Sequence, residues 1–184
     1  MTVNLSDGSP GDIGLFHSLL KETADRDGIA VHSLGYYGAL FAEFAGQGAV
    51  GRVCLYTAWH EGDCLAGVVA LFRGKDATYL YGASSNLKRN LMAPYALQWR
   101  AMRDAKAAGC VRYDLFGIPP DDDPLHPMAG LYRFKTGFGG EILHRLGSWD
   151  YPCKPVAHAL FCAAEGLRKK LRDGRKKRGS LRGS

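Results

Sequence analysis

The fold of this chain is decided by the stretch Gly130-Leu-Tyr-Arg-Phe-Lys-Thr-Gly-Phe-Gly-Gly140 and by the apolar run 111–116 that precedes it. Leu131, Phe134 and Phe138 recur at spacings of three and four, which predicts one apolar face of a short helix that the following glycines end. The run 111–116 predicts a short buried strand, and the glycine and prolines after it end the strand. Strand, loop and helix are therefore expected to lie side by side.

Three charged residues accompany these two elements. Arg133 and Lys135 lie next to the apolar face of the helix, and Asp114 interrupts the strand. A cation held beside a carboxylate at a strand end could supply chemistry. The same pattern is typical of a surface helix whose basic side chains extend along apolar surface to water. The residues alone leave both interpretations open.

Three segments resemble the closing signature of the FemABX family: Tyr113-Asp-Leu-Phe-Gly-Ile118, the 130–140 stretch, and Gly147-Ser-Trp-Asp150. Weaker matches lie upstream, so that the resemblance covers most of residues 14–150: Thr23–Gly28, Tyr36-Tyr37 and Tyr79–Ser85. Members of this family are aminoacyl-tRNA-dependent transferases that add amino acids to the peptidoglycan stem peptide. The resemblance implies the same reaction here, on lipid II or on UDP-MurNAc-pentapeptide, with aminoacyl-tRNA as co-substrate and no cofactor.

The resemblance also implies roles for individual residues. Lys135 is expected to stabilise charge on the aminoacyl ester, and Phe134 to shape the pocket. Asp114 is a candidate proton acceptor, or an ion-pair partner of Arg112 or Lys135. The substrate groove is expected to be lined by Arg26, Tyr36, Tyr37, Tyr81 and Arg133. Arg26 also fits a structural role, because a cation is favoured in the last turn of a helix.

The predicted elements follow the order helix, helix, three-stranded meander, helix, strand, helix, strand. They span residues 12–26, 36–45, 53–59, 64–72, 77–82, 91–108, 111–116, the short helix near 131–138, and 141–151. This order is that of the GNAT-like acyltransferase fold, an α+β fold whose mostly antiparallel mixed sheet is flanked by helices. Asp12 is the predicted cap of the first helix.

Full-length FemABX proteins resemble two GNAT domains in tandem, and this chain resembles the second. We therefore expect a lead-in segment at 1–13, a transferase domain at 14–154, and a basic amphipathic helix with a disordered tail at 155–184. Since the first domain of those proteins contributes much of the precursor cleft, three interpretations stay open: a truncated form, a chain that works with a second GNAT-like chain as partner, or a vestige.

The basic charge is concentrated at one end of the chain. Residues 167–184 contain nine Lys or Arg and one acid, whereas the other 166 residues contain fifteen basic and seventeen acidic side chains, a net charge of −2. This tail predicts attraction to RNA phosphates or to anionic membrane lipids. A solvated end that aids solubility remains an equal alternative.

Several classes of protein are disfavoured by composition. The five cysteines are scattered without a Cys-x-x-Cys pair, which is typical of thiols in a reducing compartment. The six histidines lack metal-ligand spacing, so no metal site is predicted. No apolar run approaches the roughly 18 residues of a membrane span, and residues 1–12 lack the features of a signal peptide. We expect a cytoplasmic protein that acts at the inner face of the membrane.

Two other functions remain open. The first is an N-acyltransferase of the GNAT type with another donor, such as acyl-CoA. GNAT folds bind that donor through a glycine-rich loop before the long helix, and the corresponding Ser84–Asn90 contains no glycine. The second is a non-catalytic module that binds tRNA or membrane through its basic tail.

Overall fold

One five-stranded sheet organises the protein, in the order β1-β2-β3-β4-β5. The computed structural model describes residues 1–46, 50–147 and 149–180. The β4–β5 pair is parallel and the other pairs are antiparallel. The elements are β1 (Thr2–Ser6), α1 (Pro10–Asp27), α2 (Leu34–Phe44), β2 (Arg52–His60), β3 (Asp63–Arg73), β4 (Asp76–Ser84), α3 (Ala93–Ala107), β5 (Arg112–Asp114), α4 (Ala129–Thr136) and α5 (Pro155–Ser180). The predicted meander and the mostly antiparallel α+β sheet are confirmed.

Helices cover both faces of the sheet. On one face, Cys54, Tyr56 and Ala58 of β2 pack in a core that includes Leu97 and Ala101 of α3. On the other, alternate β2 residues pack in a second core against α1 and α2. Because both faces are buried, β2 and β3 are almost continuously apolar rather than alternating.

An irregularity in β4 changes which face its side chains occupy. Tyr81 pairs with Val69 and Tyr79 pairs with Ala70, so that Leu80 is an extra residue in the register. Such a bulge reverses the alternation of side chains beyond it. Tyr79 consequently packs with the α3 core, whereas Tyr81 packs with the α1–α2 core.

The β4–β5 pairing is short. It joins Asp76–Thr78 to Arg112–Asp114 and then stops. β5 ends because the main chain turns at Phe116, where φ is +63°. Beyond Thr78 and Asp114, β4 and the chain after β5 no longer pair, and this unpaired stretch of the sheet is called the gap below.

The N-terminal region differs from the sequence prediction in two ways. The segment predicted as a lead-in contains β1, which pairs along its whole length with β2. Asp12 is not the cap of α1. Ser9 caps the helix and accepts from the Asp12 backbone N–H at 3.2 Å, because it directly precedes Pro10, a residue suited to the first helical turn.

The contacts divide the chain into a first unit, Met1–Gly140, and a second unit, Glu141–Ser184. The predicted last strand at 141–151 is wrong for the residues described, since 141–147 and 149–151 form no strand. Gly147, at φ +88°, interrupts any extended run there. None of the helices in the described ranges is both long enough and apolar enough to span a bilayer.

A substitution at Gly67 of β3 can test how closely α1 packs on the sheet. A Cβ at this position would lie 2.5 Å from Cδ2 of Phe16, which is fully buried. We expect Gly67→Ala to lower the free energy of unfolding by about 1–3 kcal/mol, because the core must shift to accept a methyl group. Urea denaturation measures this change.

Gly38→Ala is the matched control for this prediction. Gly38 lies within α2, and a Cβ there would meet no atom within 4 Å. Alanine should stabilise a helix interior by about 0.5–1 kcal/mol relative to glycine. A Gly67→Ala protein as stable as the wild type would contradict the close packing of α1.

Candidate active site

Lys135 lies at the point where β4 and β5 diverge. Its side chain is only 7% exposed. The ammonium donates a hydrogen bond to the Gly117 carbonyl at 2.6 Å and lies 5.3 Å from the centroid of the Tyr79 ring. The lysine therefore joins β4 to the loop that follows β5, and its charge sits within the gap.

Aromatic packing orients the helix that carries this lysine. Phe134 and Phe138 contact Tyr95 of α3, with ring centroids 4.9 and 5.4 Å from the Tyr95 ring. The two phenylalanine rings also meet edge to face at 5.4 Å. Neighbouring residues point about 100° apart on a helix, so anchoring Phe134 on α3 directs Lys135 toward the gap.

The surroundings of Lys135 alter its proton affinity. Burial lowers the pKa of its ammonium, and the nearby Asp114 carboxylate opposes that change. Burial also raises the pKa of Tyr79 to about 12, so its ring is neutral beside the cation. The Tyr79 hydroxyl lies against Gly82, where any Cβ would collide with it.

Asp114 holds the loop that receives the lysine. Its Oδ1 accepts a hydrogen bond from the Phe116 N–H at 2.7 Å. Phe116 has a left-handed backbone, which costs a bulky residue about 1–3 kcal/mol. Of the two cationic partners expected for Asp114, Arg112 faces Asp76 instead, at 3.6 Å. Asp114 thus places the Gly117 carbonyl, while its role as proton acceptor stays a prediction.

A second group of predicted residues lies on the α1–α2 face. The hydroxyls of Tyr36 and Tyr81 are 2.8 Å apart, and His32 stacks on Tyr36 at 4.1 Å. The pKa of Tyr81 is raised to about 12, mainly by burial and to a smaller extent by the hydrogen bond with Tyr36. Tyr37 is 1% exposed and packs edge to face on Tyr81, whereas Tyr36 is 41% exposed.

Arg26 ties α1 to the loop after β4. Its Nη1 donates to the Ser84 carbonyl at 2.9 Å and to Asn86 Oδ1 at 3.1 Å, and its Nε faces Asp27 at 2.9 Å. The guanidinium is therefore engaged within the protein, and contact with a substrate stays a prediction.

The loop before α3 is held by a carboxylate. Glu22 Oε1 accepts from the Asn86 N–H at 2.6 Å and from the Ser85 hydroxyl at 3.0 Å, and the Leu87 N–H donates to Ser85. These N–H groups are already bonded, so they are not free to bind a pyrophosphate. Within the described ranges, no group of three or more His, Cys, Asp or Glu side chains is placed to hold a metal ion.

The structure groups some predicted residues and separates others. Lys135 and Asp114 lie near each other without a hydrogen bond between them, whereas Arg26, Tyr36, Tyr37 and Tyr81 lie on the α1–α2 side of β4. Arg133 is exposed. It lies two positions before Lys135 on α4 and therefore points about 200° away from it.

Sequence reasoning missed Tyr79 and Phe116. The Asp-x-x-Gly pattern at 114–117 was an available signal for the turn, whereas nothing local revealed the bulge at Leu80.

Comparison with known proteins shows the family. The model of the FemAB family matches residues 57–166, well over half of the chain. The chain belongs to the FemAB family. The matched range includes Tyr79, Tyr81, Asp114 and Lys135, whereas Arg26, Tyr36 and Tyr37 precede it. The resemblance predicted from the 130–140 stretch is confirmed.

One relative is the Lipid II:glycine glycyltransferase of Staphylococcus saprophyticus, which is 35% identical over 120 residues. The match covers 65% of this chain and 28% of the relative, so this member of the family spans less than a third of that protein's length.

Solved structures confirm the predicted GNAT-like fold. The FemX crystal structure matches with a TM-score of 0.61 at 20% identity, over 74% of this chain and half of that one. The aminoglycoside N-acetyltransferase AAC(6')-Iy, in complex with a CoA bisubstrate analogue, also matches at 0.61, with 12% identity, over 83% of this chain and all of its own. At such identities the likeness shows the fold alone.

We expect Lys135 to titrate below its ordinary value of 10.5, because burial disfavours the ammonium. Asp114→Asn should lower the pKa further, since it removes the carboxylate that favours the charged form. Carbon-13 NMR of labelled lysine, followed against pH, measures both values, and Lys135→Arg assigns the signal.

The direction of the pKa change also predicts its effect on stability. Between the lowered pKa and 10.5 the unfolded chain binds more protons than the folded one, so this group's contribution to stability increases with pH. A wild-type pKa at or above 10.5 would contradict the burial of the charge.

Proposed function

We propose that this chain forms the catalytic part of an aminoacyltransferase. It would move an amino acid from aminoacyl-tRNA to the stem-peptide amine of a peptidoglycan precursor. The observation that supports this most directly is the buried ammonium of Lys135 in the gap between β4 and the loop after β5. The printed name of the staphylococcal relatives makes lipid II the first acceptor to test.

The reaction asks little of the protein beyond alignment and charge stabilisation. The donor is already an activated ester, and the precursor amine attacks its carbonyl carbon. The tetrahedral intermediate holds an oxyanion, which collapses as the bond to the tRNA ribose oxygen breaks. The amine loses a proton and the released ribose oxygen gains one. No covalent enzyme intermediate is required.

Lys135 is suited to stabilise that oxyanion. Its ammonium donates to a neutral carbonyl, and no ion pair formed within the described ranges includes it. A positive charge in a water-poor site interacts more strongly with a developing anion than the same charge in bulk water. The lysine can therefore act without first separating from a carboxylate.

The α1–α2 side is proposed to bind the precursor. Tyr36 offers an exposed ring and hydroxyl beside Tyr81, and Arg26 lies at the end of the same helix layer. Because the chain spans 28% of its relative, the rest of the precursor groove is proposed to come from a second GNAT-like chain.

The two alternatives make different predictions. Acyl-CoA as the donor is disfavoured because Glu22 accepts from the Asn86 N–H in the loop before α3 and brings a negative charge there. Protection of the fold against heat by CoA would support that donor. If the chain is a non-catalytic binding module, Lys135→Ala should leave its measurable properties unchanged.

A transfer assay read by intact mass tests the proposal. The protein is mixed with charged tRNAs and lipid-linked or UDP-linked pentapeptide, and the product should gain the mass of one amino acid. We expect Lys135→Ala to lower the transfer rate on the order of 10²–10³-fold, as removal of one oxyanion donor does.

Two variants of Asp114 separate its possible roles in the same assay. Asparagine retains the Oδ1 that accepts from the Phe116 N–H, whereas alanine does not. If Asp114 only positions the loop, Asp114→Asn keeps most activity and Asp114→Ala loses it. Equal loss in both would assign Asp114 as the proton acceptor. No mass shift with any charged tRNA would contradict activity of this chain on its own.

We propose a cytoplasmic protein whose basic residues 167–184 hold it at the anionic inner face of the membrane. Deleting these residues should abolish sedimentation with vesicles that contain phosphatidylglycerol, and should leave transfer to the UDP-linked precursor unchanged. Neutral vesicles are the control. Sedimentation that is insensitive to the deletion or to salt would contradict this role.

A further inference from the structure

Phe116 combines two features that are unfavourable for folding. Its ring is 63% exposed, so it contributes little to the core. Its φ of +63° is a conformation that glycine or asparagine adopts more readily. Phe134 and Phe138, in contrast, pack on Tyr95. A bulky side chain held in such a conformation is a reason to look for a function of its ring.

The backbone on both sides of this ring is held by hydrogen bonds. The Phe116 N–H is bonded to Asp114, and the carbonyl of the next residue, Gly117, accepts from the Lys135 ammonium. The backbone that carries the ring is therefore held one residue from the carbonyl that accepts from Lys135. A group that stacks on the ring would bind to the residue directly before Gly117, whose carbonyl accepts from the Lys135 ammonium.

We propose that Phe116 is a stacking platform for the terminal base of the RNA donor. This inference depends on the proposed function, in which the aminoacyl ester is joined to the ribose of the terminal nucleotide. The base on that ribose must then lie close to the reacting carbonyl. An exposed aromatic ring one residue from the carbonyl that accepts from this ammonium is suited to hold it, and every base offers a flat face for stacking.

The surroundings of the ring favour a base over a protein surface. Gly117 follows Phe116 and the half-buried Leu115 precedes it, so neither chain neighbour adds a large exposed side chain to the ring. Stable protein interfaces bury a contiguous surface of about 800 Å² on each partner. A single exposed ring matches the area of one base.

Binding of two short RNAs tests the proposal. Both end in an amino acid joined through a stable amide, and one lacks its terminal base while keeping the ribose. For the wild type, loss of the base should weaken binding about tenfold by fluorescence anisotropy, within the range measured for one stacked base. Phe116→Ala should bind both RNAs with the weaker affinity, and Phe116→Tyr should behave as the wild type does.

Two further variants control for structure. Trp99→Ala removes another exposed aromatic side chain, 62% exposed on α3, and should bind like the wild type. Phe116→Gly relieves the backbone conformation, so its thermal unfolding temperature should rise while its RNA affinity falls as for Phe116→Ala. A rise in stability together with a loss of binding excludes unfolding as the cause.

The possible outcomes are distinct. Wild-type protein that binds neither RNA overturns the RNA donor itself, and the platform with it. Wild-type binding that is indifferent both to the terminal base and to Phe116→Ala overturns the platform alone. A change in self-association without a change in RNA affinity would assign the ring to a protein contact and would also overturn it.

Discussion

The buried ammonium of Lys135 is the constraint on which the site depends. A charge can leave water only where other groups compensate it. Here the Gly117 carbonyl and the Tyr79 ring do so, and each needs its own support. The Asp114 turn presents the carbonyl, and the bulge in β4 places Tyr79. The contact of α4 with Tyr95 directs the lysine. Sheet, loop and helix packing therefore converge on one side chain.

Local pattern was sufficient for much of this fold. The meander follows from apolar runs separated by polar turns, and α4 follows from the spacing of Leu131, Phe134 and Phe138. The failures concern features that depend on pairing. β1 is only five residues long and forms a strand because all of its residues pair with β2. The bulge at Leu80 exists only in the register between β3 and β4. The predicted strand at 141–151 had the composition of a strand and found no partner among the described residues.

The same dependence limits prediction of the site. Lys135 and Asp114 could be chosen from the sequence, because they lie beside a strand end and an apolar helix face. Their arrangement could not, since Asp114 bonds to a main-chain N–H two residues away rather than to a cation. The sequence likewise allowed Arg26 either a structural role or a role in substrate binding. In the structure its guanidinium donates to Ser84 and Asn86, and so joins α1 to the loop after β4. The fold shared with acetyltransferases does not by itself assign their donor to this chain.

The extra residue in β4 also separates two kinds of evolutionary change. Tyr79 and Tyr81 are two positions apart, yet they belong to different cores. Substitutions on the Tyr81 side can alter the α1–α2 surface without repacking the residues around Lys135. Substitutions on the Tyr79 side can likewise alter the packing around Lys135 without changing the α1–α2 surface. A single inserted residue thus lets the side chains at Tyr79 and at Tyr81 vary independently within one strand.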